Sequence, residues 1–97
     1  MYSIWSIRSE AKGYFFSPAA MRFFRSRIGE TVYEGPGGVY FITSEQFEGS
    51  DGVKAERRYT VRRFIPETGE IECATDFNQL SRPQAIRRAK VLAEKGK

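Results

Sequence analysis

The most constraining feature of this chain is the run Val39-Tyr40-Phe41-Ile42-Thr43-Ser44, which is β-branched or aromatic at nearly every position. Residues of this kind favour extended backbone because they fit a pleated, half-buried surface. Side chains alternate along a strand, and here both faces are apolar. The run therefore predicts a central strand, buried on one side and partly covered on the other. Other strands must pair with both of its edges. Thr31-Val32-Tyr33-Glu34 predicts a short strand before it, joined through the turn Gly35-Pro36-Gly37-Gly38.

After a flexible loop over residues 48–55 comes the next strand, Arg58-Tyr59-Thr60-Val61-Arg62-Arg63-Phe64-Ile65. Pro66-Glu67-Thr68-Gly69 predicts a hairpin turn with glycine where positive φ is required, and Glu70-Ile71-Glu72-Cys73-Ala74 returns. Arg58, Thr60 and Arg62 share one face of the strand, and Tyr59, Val61 and Arg63 share the other. The alternation breaks at Phe64-Ile65, which predicts a bulge near the turn and leaves the register of 58–74 open.

Two helices complete the pattern. Ser17 is a suitable N-cap with Pro18 at the first helical position, and Ala20, Phe24 and Ile28 follow at four-residue spacing beside Met21. Gly29 closes that helix. Ser81 and Gln84 form a capping box, and Leu80 and Ala85 are placed for a hydrophobic staple. Ala85, Ile86, Ala89, Leu92 and Ala93 then lie on one helical stripe. Residues 1–12 predict an N-terminal strand or a docked arm. The fold expected is α+β: one small domain over residues 1–97, in the order α-β-β-β-β-α. Its antiparallel sheet has three to four strands, with both helices packed on one face.

Ninety-seven residues make one domain, and eight Phe, five Tyr and one Trp supply much of its core. No apolar run approaches the roughly 20 residues of a membrane span, and the first residues lack the pattern of a signal peptide. The single cysteine, Cys73, forms no internal disulfide and reads as a small buried hydrophobe in a strand. A cytoplasmic protein is expected.

The chain has no histidine, the commonest general base and metal ligand. No catalytic residue, metal site or cofactor is expected, and the protein is read as non-enzymatic. Glu70 and Glu72 point to one side of their strand, an arrangement that suits a metal or a cross-strand pairing with Arg62 and Arg63. Function is then sought in charge. The net charge is +4, with an isoelectric point near 9.5, and it is unevenly placed. Arg22, Arg25 and Arg27 form one cluster. Lys54, Arg57, Arg58, Arg62 and Arg63 form a second, and Arg82, Arg87, Arg88, Lys90, Lys95 and Lys97 a third.

A bipolar surface of this kind suits electrostatic docking on a host protein, a nucleoprotein complex, DNA or RNA. The candidate contact residues are Arg57, Arg58, Tyr59, Arg62 and Arg63 on the strand, with Arg87, Arg88 and Lys90 on the last helix and Arg22 and Arg25 on the first. Arginine forks suit phosphates and guanine edges, and an exposed tyrosine stacks on a base. Tyr2, Trp5, Val91 and the Tyr40/Ile42 face are candidate dimer contacts, or else ordinary surface and core.

Two resemblances add expectations. The layout Tyr59-Thr60-Val61-Arg62, Thr68-Gly69, Ile71, Phe77 and Ser81 through Ala89 resembles the sheet-plus-helix DNA-binding modules of tyrosine integrases and AP2-type domains, which implies reading of the major groove by the sheet. Glu70 and Glu72 stand where those modules usually carry basic residues.

The segments Gly13-Tyr14-Phe15-Phe16-Ser17-Pro18, Met21-Arg22-Phe23-Phe24, Val39 through Phe47 and Arg58 through Arg62 are similar to a family of small phage, prophage and plasmid proteins. That resemblance implies a mobile-element context, in which small proteins of this size act as stoichiometric inhibitors of host defence. Anti-CRISPR proteins are the obvious class. It assigns no residue a role.

Overall fold

The structure is a computed structural model and describes residues 1–11 and 25–96. Its elements are α1 (Ile4–Glu10), β1 (Arg27–Gly35), β2 (Gly38–Glu45), β3 (Arg58–Ile65), β4 (Glu70–Cys73) and α2 (Arg82–Lys95). The strands form one antiparallel meander in the order β1-β2-β3-β4. The α+β class, the four-stranded antiparallel sheet and the number of helices agree with expectation, although α1 is not the helix expected over residues 17–28.

β2 is the central strand the sequence demands, with every residue from Val39 to Glu45 buried. Alternation divides its apolar side chains into two cores. On one side Tyr40 and Ile42 join Val61 beneath Ala85, Ala89, Leu92 and Ala93 of α2. On the other, Val39 and Phe41 join Phe64 and Ile7 of α1. The helices therefore lie on opposite faces of the sheet and not together on one. The cause is in β2 and β3: both carry large apolar groups on both sides, and one helix covers only one side. The small alanine side chains of α2 leave room for the Tyr40 ring beneath it.

Residues 1–12, expected as a strand or arm, contain α1. Ser3 is its N-cap, and Ser6 completes a capping box by accepting from the Ser3 N–H at 2.9 Å. Ile4, Ile7 and Ala11 then lie on one helical stripe against the Phe41–Phe64 core. Seven residues are too few for a stable isolated helix, so docking holds it. The Tyr2 N–H donates to Glu34 Oε1 at 2.6 Å, and the Tyr2 ring meets Phe64 edge-on at 5.4 Å.

The helix expected from Ser17 to Ile28 falls mainly on residues outside the described set, including Arg22, but its end can be corrected. Ile28 and Gly29 belong to β1, where Ile28 pairs with Thr43. The bulge expected near Phe64-Ile65 is also absent: β2 and β3 pair without interruption from Val39–Phe64 to Glu45–Arg58. The irregularity lies in β1, where the four-residue step from Ile28 to Val32 spans only the two-residue step from Thr43 to Phe41. Ile65 breaks the apparent alternation simply because it faces away from Phe64, paired with Glu70 at the hairpin end.

Turns and caps follow the sequence closely. Gly69 adopts φ +77° at the β3–β4 hairpin. Gly35 pairs with Gly38 across the Pro36-Gly37 loop, and this loop also seats the end of α2. The Gly37 N–H donates to the Ala93 carbonyl at 2.8 Å, and a Cβ on Gly37 would collide with the Leu92 carbonyl and the Gly96 backbone. At the other end of α2, the Ser81 N–H donates to Gln84 Oε1 at 2.9 Å, and the Gln84 N–H returns to Ser81 Oγ at 3.3 Å. Leu80 and Ala85 meet in the same core, as the staple requires. Residues 48–55 are an exposed excursion closed by a Glu48–Lys54 bridge. No helix among the described residues is long and apolar enough to cross a membrane.

Candidate binding surfaces

The arginines of the strand differ in burial, and Arg62 is the most enclosed. Arg62 lies on the α1 side of the sheet with its side chain only 11% exposed, 3.8 Å from the carboxylate of Glu45, which is 1% exposed. Arg62 Nε donates to Thr43 Oγ1 at 3.0 Å, and Nη1 donates to Cys73 Sγ at 2.9 Å. Its guanidinium also sits over the Phe77 ring at 5.4 Å, and Phe77 meets Phe47 edge-on. Glu45 accepts from Thr60 Oγ1 at 3.5 Å, while its Oε2 is buried with no hydrogen-bond partner. Burial pushes the Glu45 carboxyl above the usual carboxylate range, against the opposing pull of Arg62 and the two threonines. The cluster is a buried polar network missed in the sequence, although the alternation Val39, Phe41, Thr43, Glu45 carries the signal for it.

The other strand candidates are similarly engaged. Arg63 pairs with Glu72 directly across the β3–β4 ladder at 3.8 Å, the cross-strand option for that glutamate. Arg58 lies 3.8 Å from Glu56, and Arg25 lies 2.8 Å from Glu48. Tyr59 is not an exposed stacking platform: it packs against the α2-side core, and its backbone bridges to Leu80. Cys73 is exposed and not buried, since β4 is the edge strand. Among the described residues, no group of three or more His, Cys, Asp or Glu is placed to hold a metal ion.

Of the dimer candidates, Tyr40 and Ile42 lie in the core beneath α2, so they offer no surface. Tyr2 packs on Phe64. Trp5 and Val91 remain exposed, at 76% and 49%, and the Arg8 guanidinium lies 5.8 Å from the Trp5 ring.

Concavities lie on both flanks of α2. Towards β4, an open groove of about 1030 Å³ runs between the helix and the segment Cys73–Leu80. Arg87 and Arg88 stand on its rim beside the exposed side chains of Val91 and Phe77, with Asp76 as its single acid. Lys90, expected to act with them, is on the opposite flank beside Val32–Pro36.

Towards β1 lies a smaller cavity of about 240 Å³, where Arg27, Arg57 and Arg82 meet. They come from the start of β1, the approach to β3 and the first residue of α2. The irregular stretch of β1 forms one wall, and Tyr33, Tyr59 and Ile86 form much of the rest. Arg57 Nη1 donates to Ser44 Oγ at 2.9 Å. Burial, and after it the nearby Arg27 charge, hold the Arg57 guanidinium below its ordinary pKa. Arg27 and Arg82 lie in different charge clusters in the sequence, and only the fold brings them to Arg57.

No curated protein and no solved structure matches the chain significantly. One family model does match, over residues 2–90, nearly the whole fold described above, and the chain belongs to that family, described as a family of unknown function (DUF7447).

Proposed function

We propose that this chain is a non-catalytic binding protein that docks on a host macromolecule and inhibits it, as an anti-CRISPR protein or another anti-defence inhibitor does. The observation that carries the reading is the groove beside α2, where exposed apolar side chains are rimmed by Arg87 and Arg88. Exposed apolar area at the centre with charge at the rim is the ordinary anatomy of a protein–protein contact. Two arginines against one acid, Asp76, favour a partner segment that is acidic and apolar. The resemblance to small phage and plasmid proteins supports the inhibitory role.

The test is interference by a CRISPR-bearing host against a targeted plasmid, with and without expression of the chain. Pull-down of the tagged protein from nuclease-treated lysate accompanies it. Relief of interference and a nuclease-resistant complex, both lost in R87E/R88E and in Val91→Asp, are expected. Inhibition that survives both substitutions in folded protein would place docking elsewhere.

A second reading is direct DNA or RNA binding. It retains the exposed Arg87, Arg88 and Lys90 on α2, but the strand arginines are held by Glu45 and Glu72. That reading predicts an affinity falling linearly with salt on a log–log scale, with a slope of about −0.9 per phosphate contacted. The inhibitor reading predicts a shallower dependence.

A further inference from the structure

We propose that the cavity formed by Arg27, Arg57 and Arg82 is a binding site for the phosphoryl group of a small soluble ligand. It is separate from the α2 groove and does not depend on the function proposed there. The first ground is the convergence of three arginines that have no carboxylate partner among the described residues. Arg25, Arg58, Arg62 and Arg63 each lie within 4 Å of a carboxylate. Arg27, Arg57 and Arg82 converge on one cavity with no such ion pair among the described residues. Gathering like charges in a partly desolvated space is unfavourable unless an anion occupies it.

The second ground is the donor set. A guanidinium presents five N–H donors in a planar fork that matches phosphate oxygens. Arg57 directs one of these to Ser44 Oγ, which fixes the plane of the group while the remaining donors stay available. Ser44 is itself buried and pairs through its backbone with Arg27 and Tyr59 on either side. The site is therefore built on the central strand and not on a loop.

Charge and size narrow the ligand. Three arginines against Glu30, the one acid on the wall, leave an excess of two positive charges. A phosphate monoester is close to dianionic above its second pKa of about 6, whereas a carboxylate or a phosphodiester carries one charge. A volume of about 240 Å³ falls just under the roughly 300–1,000 Å³ of typical small-molecule pockets. Phosphate with a small organic group fits; a large cofactor does not. Tyr33, Tyr59 and Ile86 offer that group an apolar wall.

The experiment is an amide NMR titration of the whole chain at low salt and pH 7.5. The probes are inorganic phosphate, a nucleoside 5′-monophosphate, the unphosphorylated nucleoside and an oligonucleotide lacking a terminal phosphate. Saturable shifts at Gly29, Ser44 and Tyr59 are expected with the first two probes, weakening at least tenfold in Arg57→Gln and in Arg27→Gln. Arg27 is exposed, so its variant keeps the test sound if Arg57→Gln folds poorly. R87Q/R88Q should bind as the parent does, and binding should weaken as pH falls below about 6. Tighter binding of the monophosphate than of phosphate identifies a carried phosphoryl group, and equal binding identifies free phosphate. Non-saturable shifts, equal binding of the nucleoside or the oligonucleotide, or equal weakening in R87Q/R88Q would overturn the assignment.

Discussion

Replacing Arg62 with methionine keeps much of its apolar stem while removing the only arginine among the described residues within ion-pairing distance of Glu45. At 3.8 Å, with an effective dielectric of about 20, their attraction is about 4 kcal/mol. Removing one partner of a buried pair typically costs about 3–5 kcal/mol, because the other charge is left uncompensated. Against a total stability of about 5–15 kcal/mol, Arg62→Met should leave the protein marginal at pH 8.

The pH dependence identifies the cause. Burial raises the Glu45 carboxyl above its ordinary 4.5 even with Arg62 present, and removing Arg62 raises it further. A raised carboxyl favours folding while protonated in both states and loses that contribution as pH rises through its folded-state value. The penalty of Arg62→Met should therefore be largest at pH 8 and shrink towards pH 4, where the uncompensated charge on Glu45 is gone. The loss of packing and of the contacts with Thr43, Cys73 and Phe77 remains there. Urea denaturation followed by circular dichroism, with parent and variant compared at each pH, measures this. The double variant Arg62→Met/Glu45→Gln should recover most of the loss at pH 8. An equal penalty at pH 4 and pH 8 would refute an electrostatic origin, and failure of the double variant to recover would refute the coupling to Glu45.

Three further outcomes are expected. Gly37→Ala would push a methyl group into backbone atoms at the end of α2, so it should cost about 1–3 kcal/mol, the scale of overpacking, read from the denaturation midpoint. Ser3→Ala removes the acceptor for the Ser6 N–H and should cost about 1 kcal/mol, with faster hydrogen exchange at Ile7 and Ala11, whose amides bond within α1 and its cap. Cys73 is exposed and should react with a thiol reagent in the native protein without prior unfolding; protection until denaturation would contradict an edge position for β4.

The elements that sequence reveals well are those fixed by local chemistry. Ser81, Gln84, Leu80 and Ala85 define the start of α2 without reference to the rest of the chain, and Pro66 through Gly69 define a hairpin in the same way. α1 was hidden because its capping box uses Ser6 where glutamate or glutamine is usual. It also runs only seven residues, too short to give a clear period. The end expected at Gly29 rested on a glycine that terminates helices and equally breaks strands. Pairing of Ile28 with Thr43 decides between the two, and that contact is nonlocal.

The role of each arginine is legible only once register is known. Alternation puts Arg62 and Arg63 on opposite faces of one basic strand but does not name the partner of either. Pairing places Arg62 over Thr43 and Glu45 on one side of the sheet and Arg63 opposite Glu72 on the other. Both faces of the sheet are covered, one by α1 and the other by α2. Sheet-face reading of DNA therefore has no open face where the helices lie, and the cationic concavities lie on the flanks of α2. Arg82 and Ile86 turn towards β1, and Arg87, Arg88 and Val91 towards β4. One helix thus supports two surfaces of different chemistry, a smaller cationic cavity and a larger groove with exposed apolar side chains. Their separation on the helix makes them independently testable: Arg82→Gln should weaken phosphate binding while leaving the groove's partner bound, and R87E/R88E should do the reverse. Parallel loss of both in either variant would mean that the two surfaces serve a single ligand.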